Sequence, residues 1–333
     1  MLRHLQAKIM ILILSYAFSV TALSQSNINE KCLITKAAFD VGSGSTKLKV
    51  AKVDRCQKKI LKILLEEQRS VPYKESLTNG DHFSVSIMDR GKKALTDLKK
   101  AAIKQGAEVF EGVATSAFRK AKNGKDLVAK LNKALSLNLK IINQKEEATL
   151  GYLGASLHAK TKSYVVWDIG GGSMQMLSKS GSEFFGYEGQ TASVSFKNRI
   201  IDMIQKKDLA TTTSPNPISQ RQLERAMAWI KVTIPGQIHP TLLKKLPLGE
   251  VLGIGSVHRY AIGGLLNKSS WTSKDLRAHV QKLVGKSDQE LGGGPYVSTK
   301  VSNVILVLGF MEALSIQKMT ALKVNLTDGL LIK

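Results

Sequence analysis

The chain has 333 residues, of which 49 are Lys or Arg and 26 are Asp or Glu, for a formal net charge of +23. That length accommodates two domains with their own cores, and an apolar content of 43% excludes a disordered or fibrous chain. The basic excess points to a polyanionic partner, but aromatics reach only 6%, which argues against nucleic acid held by base stacking on aromatic rings.

The first residues read as an export signal rather than as part of the fold. Arg3, His4 and Lys8 form a basic start, Ile9 to Val20 is a short apolar run, and Ala22-Leu23-Ser24 offers small residues for cleavage. Residues 1–24 are therefore expected to be a secretory signal peptide, cut near Ser24–Gln25. The run falls short of the ~20 apolar residues of a membrane span, and no later segment supplies one. A periplasmic or secreted protein without a stable span is expected. Cys32 and Cys56 lie twelve residues on either side of Gly44. A hairpin formed by 36–41 and 46–53 would bring them together, and an oxidising compartment would preserve a disulfide. The alternative is two unpaired core cysteines.

Strands are predicted at 36–41, 46–53 and 59–70, followed by a helix over 86–104 in which Ile87, Leu95, Leu98 and Ile103 recur at helical spacing. A strand at 107–114, a helix at 124–135, a strand at 139–143 and a helix at 146–157 complete a first half. The order then restarts, with strands at 163–169, 173–179 and 183–188, a helix near 192–205, a loop at 211–217 and a helix at 219–233. A strand at 250–256, a long helix over 299–318 and a closing strand at 322–326 follow. This is an internal duplication of one α/β unit, with domains at 25–160 and 161–333. In such folds ligands sit in the crevice where strand ends meet.

Each half places an acid and a glycine-serine loop between its first two strands: D-V-G-S-G-S-T at 40–46 and D-I-G-G-G-S-M at 168–174. Gly42, Gly44, Gly170, Gly171 and Gly172 would let backbone N–H groups cup an anion, with Ser43, Ser45 and Ser173 adding hydroxyl donors. Asp40 and Asp168 would repel phosphate unless a divalent cation lay between, and Mg²⁺ suits such a bridge. One such loop alone is compatible with a plain tight turn. In G-V-A-T-S-A-F-R-K-A-K-N-G at 112–124, Thr115 and Ser116 open a helical turn and Arg119 follows within reach of the same anion. An N-cap with a solvated arginine would read the same way. In Q-K-E-E-A-T at 144–149, Glu146 and Glu147 suit a helix start through the dipole alone. Only one of two adjacent helical residues can face a cleft, where a carboxylate could activate water for attack on phosphorus.

These four segments together resemble the exopolyphosphatase / guanosine pentaphosphate phosphohydrolase family, of the actin-like ATPase superfold. D-V-G-S-G-S-T and V-V-W-D-I-G-G-G-S resemble its two phosphate loops, G-V-A-T-S-A-F-R-K-A-K-N-G its A-T-S-A-x-R segment, and Q-K-E-E-A-T-L-G-Y-L-G its E-E-A helix. L-G-I-G-S at 252–256 and T-D-G-L-L at 327–331 are looser matches to its third glycine turn and closing motif. The resemblance spans roughly 36–331. It implies duplicated actin-like (ribonuclease H-like) α/β domains flanking a central cleft, in the family's short two-domain form. It also implies Mg²⁺-dependent hydrolysis of terminal phosphoanhydrides, with Glu147 as the base, Asp40 and Asp168 at the metal, and the two loops with Thr115, Ser116 and Arg119 on phosphate. The chain departs from the family at Met174 and Gln175, where threonine and glutamate are usual; Gln175 offers the metal a neutral oxygen only. Gly44 replaces the usual asparagine, and the export signal is unusual for the family. The expected partner is inorganic polyphosphate, with a phosphorylated nucleotide or a non-catalytic binder as the alternatives. A homodimer is kept open.

Overall fold

The computed structural model describes residues 30–77 and 80–333. The expected signal peptide and its cleavage point lie outside the described residues. An antiparallel meander opens the first half: β1 (Leu33–Val41), β2 (Ser45–Asp54) and β3 (Lys59–Ser70). It continues with α1 (Val85–Lys104), β4 (Val109–Ala114), α2 (Ser116–Lys120), α3 (Gly124–Leu135), β5 (Asn138–Ile141) and α4 (Gln144–Ser156). The second half restarts with β6 (Tyr164–Ile169), β7 (Met174–Ser180), β8 (Glu183–Gly189) and α5 (Ser193–Arg199). Then come α6 (Gln220–Thr233), α7 (Pro240–Lys245), β9 (Glu250–Ile254) and α8 (Gly263–Leu266). The chain closes with β10 (Ser270–Thr272), α9 (Ser273–Val280), α10 (Val297–Ala313), β11 (Lys318–Ala321) and α11 (Leu326–Ile332).

The sheets run β3-β2-β1-β4-β5 and β10-β11-β9-β6-β7-β8. Without β10, an extra edge strand paired antiparallel to β11, the second order is the first one repeated. In both halves the first strand pairs antiparallel with the second and parallel with the fourth. The duplicated α/β architecture expected from the sequence is the observed one.

The chain's last segment differs from expectation. The closing strand is Lys318–Ala321, not 322–326, and the preceding helix stops at Ala313 rather than 318. Ser315, with φ of 56°, turns the chain out of that helix. Asn325 then starts a new one: its side chain accepts from Thr327 N–H, and Asp328 accepts from Asn325 N–H at 2.9 Å. The apolar alternation of L-K-V-N-L thus precedes a capping box rather than forming a strand. Near 192–205 the helix gives way after Arg199 to a π-helical turn, Ile200–Ile204.

Each half's closing helix packs on the other half's sheet. Ala148, Tyr152 and Ala155 of α4 join Tyr164, Val166, Leu177, Leu252 and Ile254 of the second sheet in one apolar cluster. Leu326, Leu330 and Leu331 of α11 join Ala38, Ala51, Val53 and Val113 of the first. Two lysines pin α11 from the first sheet. Lys49 Nζ lies 2.6 Å from Asp328 Oδ1 and 3.0 Å from Glu66 Oε1. Lys36 Nζ donates to Leu330 C=O at 2.8 Å, at the helix end where a cation is favoured. The expected disulfide between Cys32 and Cys56 is present and ties the outer end of the β1–β2 hairpin.

The two helices meet through glycine. A β-carbon at Gly329 would lie 2.0 Å from Leu150 C=O, and one at Gly154 would lie 2.9 Å from Val324 Cγ1. Gly329→Ala forces backbone apart rather than a side chain aside. It is expected to destabilise the protein by at least about 2 kcal/mol, read as a lower melting temperature, whereas Gly44→Ala, where nothing lies within 4 Å, should melt with the parent.

Candidate functional site

The two glycine loops carry the same turn. Gly42 N–H donates to Ser45 C=O at 2.9 Å, and Gly170 N–H donates to Ser173 C=O at 2.9 Å. Their glycines are needed for closeness, not for unusual dihedrals. A β-carbon on Gly171 would lie 3.2 Å from Ser43 Cβ, and one on Gly172 would lie 2.9 Å from Ser116 Oγ. The loops therefore face each other directly, with the start of α2 beside them. Thr115 and Ser116 are buried there, and Thr115 makes no side-chain cap bond.

Strand register decides what stands next to each acid. Asp40 pairs with Lys47 across β1 and β2, and Asp168 pairs with Gln175 across β6 and β7. Directly opposed residues project to the same face. The duplication thus puts Lys47 and Gln175 at one and the same position of the two halves. Lys47 Nζ donates to Asp40 Oδ2 at 3.0 Å. Gln175 is buried beside Asp168, and neither its Oε1 nor its Nε2 has a partner. Asp168 makes no ion pair among the described residues. Its Oδ1 approaches the third glycine turn so closely that a β-carbon on Gly255 would lie 2.5 Å away. Lys47 was not singled out from the sequence; a seven-residue step from each acid is the signal that finds it.

The E-E pair divides its labour. Glu146 is exposed and closes a capping box with Asn143. Glu147, one residue on, is buried and turned to the cleft. Arg119 is not solvated: its Nη1 donates to Glu147 Oε2 at 2.8 Å and to Ile142 C=O at 2.7 Å, while its Nη2 reaches Ser173 Oγ at 3.4 Å. One guanidinium thus links the first half to the second glycine loop.

Electrostatics follow from this crowding. Burial pushes the Glu147 carboxyl up to about 7, Arg119 pulling against the rise and Asp40 adding to it. Burial and then Glu147 push Asp168 up to about 7 as well. Burial works against the charge of Lys47, but Asp40 outweighs it, helped by Asp168 and Glu147, and its pKa is raised. Three carboxylates thus share two fixed cations. An orphaned buried amide beside an acid with no cation of its own fits a hard divalent ion that takes oxygen ligands and keeps its waters. Asp40 fits less well, because Lys47 already neutralises it. The acids do not form a ready cage. Among the described residues the one group of His, Cys, Asp or Glu with ligand atoms within 4.8 Å of one another is Cys32, Asp54 and Cys56, and both sulfurs of that group are in the disulfide.

A model of the Ppx/GppA phosphatase family matches residues 49–333. Among solved structures, the Ppx/GppA enzyme of Aquifex aeolicus is similar at 17% identity and a TM-score of 0.72, covering 90% of this chain and 99% of its own. An exopolyphosphatase-like protein is similar at 18% identity and a TM-score of 0.72, covering 90% and 97%. An exopolyphosphatase from Cytophaga hutchinsonii is similar at 16% identity and a TM-score of 0.68, covering 89% and 96%. At these identities the structural likeness concerns the fold.

A carboxyl raised by folding holds its proton in the native state at pH values where the unfolded chain has lost it, so stability falls as pH rises between the two values. For Asp168 that window runs from about 4 to about 7. Asp168→Asn is expected to stabilise the protein by an amount that grows across this window and levels off above it, to about 4 kcal/mol. Melting temperatures of variant and parent between pH 4 and 8 provide the measurement.

Proposed function

The chain belongs to the Ppx/GppA phosphatase family, and from that footing we propose that it is an exported exopolyphosphatase. It would release terminal phosphate from inorganic polyphosphate by attack of water. The observation that carries the reading is Glu147. This carboxyl, at about 7, is held by Arg119 in the cleft where the two glycine loops meet. A base with that affinity accepts a proton near neutral pH and returns it after the step. Backbone N–H groups of both loops, with Ser43, Ser45, Ser173, Thr115 and Ser116, would hold phosphate oxygens. The Arg119 guanidinium, already fixed on Glu147 and Ile142, keeps the base oriented and offers its Nη2 side to charge on the second loop.

Asp168 and Gln175, with Asp40 on the far side, are the residues that would hold Mg²⁺, which when bound neutralises phosphate charge. Lys47 supplies part of that neutralisation from the protein itself. Working outside the cytoplasm is supported by the basic, apolar and small-residue order of residues 1–24 and by the Cys32–Cys56 disulfide. Among the described residues, no helix is long and apolar enough to cross a membrane.

One observation favours a second reading. Beside Lys47 a cleft opens along the third glycine turn, lined by Gly255, Ser256, Arg259, Tyr260, Lys323 and Asn325, and Tyr260 is exposed. An aromatic ring beside a glycine turn suits a nucleoside, so a phosphorylated nucleotide is the alternative substrate. A third class, a binder without turnover, rests on the missing carboxylate at Gln175.

The mature protein from Gln25 onward is expected to release phosphate from long-chain polyphosphate in a Mg²⁺-dependent reaction. Glu147→Gln should lower kcat by ~10²–10⁴-fold and remove the ascending limb of the pH profile near 7. Gln175→Glu should lower the Mg²⁺ concentration needed for half-maximal rate. Tight binding with no release would make the chain a binding protein, and a higher kcat/KM on a nucleoside polyphosphate would select the second reading.

A further inference from the structure

The row of side chains that begins at each acid continues one strand further. In the first half Asp40 pairs with Lys47 and Lys47 with Gln68, across β1, β2 and β3. In the second half Asp168 pairs with Gln175 and Gln175 with Glu188, across β6, β7 and β8. Opposed residues of an antiparallel pair project to one face, with β-carbons about 4.5–5.5 Å apart, so each row lies on a single face of its sheet. The first row reads acid, cation, amide, and Lys47 answers its one acid at 3.0 Å. The second reads acid, amide, acid. It sets two carboxyl groups either side of a neutral amide, and among the described residues neither acid makes an ion pair.

Glu188 stands at the cleft end of β8. Gly189, next to it, pairs with Met174, the residue that follows the second glycine loop. Gly189 C=O also accepts from Gln144 Nε2 at 3.3 Å, and Gln190 Nε2 donates to Gln144 Oε1 at 2.8 Å. Gln144 is the first residue of α4, the helix that carries Glu147 into the cleft, so the end of β8 is tied to the turn that presents the base. Glu188 is exposed and makes no hydrogen bond among the described residues. Gln175, between it and Asp168, is 2% exposed, and both of its amide atoms are unpartnered. Water satisfies an exposed carboxylate, but a buried amide without a protein partner needs one from outside the chain. An amide oxygen flanked by two carboxyls is a donor set for a hard divalent cation, which also keeps waters that extend its reach.

We propose that Glu188 supplies the carboxylate that position 175 lacks: a divalent cation at Asp168 and the Gln175 amide oxygen takes its second carboxylate from β8, directly or through one of its own waters. This rests on the reading that Asp168 and Gln175 hold the ion, and it adds a residue outside all the motifs named above. Moving the carboxylate one strand outward has a physical consequence. With the ion away, the charge of Glu188 stays in water at the rim, whereas a carboxylate at 175 would be buried against Asp168.

The test is metal binding without substrate. Mn²⁺, which suits the same carboxylate, carbonyl and water ligands, is titrated into the mature protein and its free fraction followed by electron paramagnetic resonance. The parent is expected to bind the ion, and Asp168→Asn to lose it. Glu188→Gln should raise the dissociation constant by about tenfold or more. Glu183→Gln, which removes an exposed carboxylate from the other end and the other face of β8, should change it by less than about twofold. Returning the carboxylate to the neighbouring strand, in Gln175→Glu/Glu188→Gln, should restore binding to within about threefold of the parent. An unchanged constant in Glu188→Gln, an equal loss in Glu183→Gln, or a double variant no tighter than Glu188→Gln alone would overturn the role of Glu188 and leave the ion at Asp168. A parent that binds no Mn²⁺, or an Asp168→Asn variant that binds it as well as the parent, would overturn the metal reading together with it.

Discussion

The crossing of α4 and α11 constrains everything above it. Gly329 lies against the backbone of Leu150, and Gly154 against Val324 and Asp328. Because each helix covers the opposite sheet, neither half can leave the other without exposing an apolar cluster. Lys36 and Lys49 add polar fastening on the first-sheet side, where an unpaired buried charge would cost more than its partner contributes. The loops face each other because the helices beneath them cannot separate.

With the halves fixed in this way, duplication becomes chemistry. The same strand–loop–strand unit delivers an acid, a tight glycine turn and a serine from each side, and two copies face to face make a clamp that neither could make alone. The copies then diverge at the position opposite the acid. One half keeps a cation there, Lys47, and the other a neutral amide, Gln175. The first acid is answered by the protein, while the second remains short of positive charge and shares its strain with Glu147. Burial above all, with Asp40 adding to it, raises the Glu147 carboxyl to about 7, and Arg119 only partly offsets the rise.

Much of this was legible in the sequence. The duplicated order, the paired glycine loops and the disulfide follow from local rules: periodicity, glycine placement and symmetric spacing. The choice of Glu147 over Glu146 came from the family resemblance. What escaped was non-local or depended on a competing local signal. Lys47 looks like any lysine on a strand until the β1–β2 register sets it against Asp40. Residues 322–326 alternate like a strand, yet Asn325 and Asp328 close a helix start that outweighs three apolar positions. The strand Ser270–Thr272 is three residues long and exists because β11 offers it an edge, which no window of sequence displays. Lys74 lies beside Gly172 only because the packed loops bring residues far apart in the chain together.

The exchange of a cation, Lys47, for an amide, Gln175, at the equivalent position of the two halves also sets the charge balance of the site. A glutamate at 175 would add a fourth carboxylate to Asp40, Asp168 and Glu147, and only a divalent cation could then balance them. With glutamine there, Lys47 and Arg119 already cancel two of three negative charges, and the remaining demand is for one.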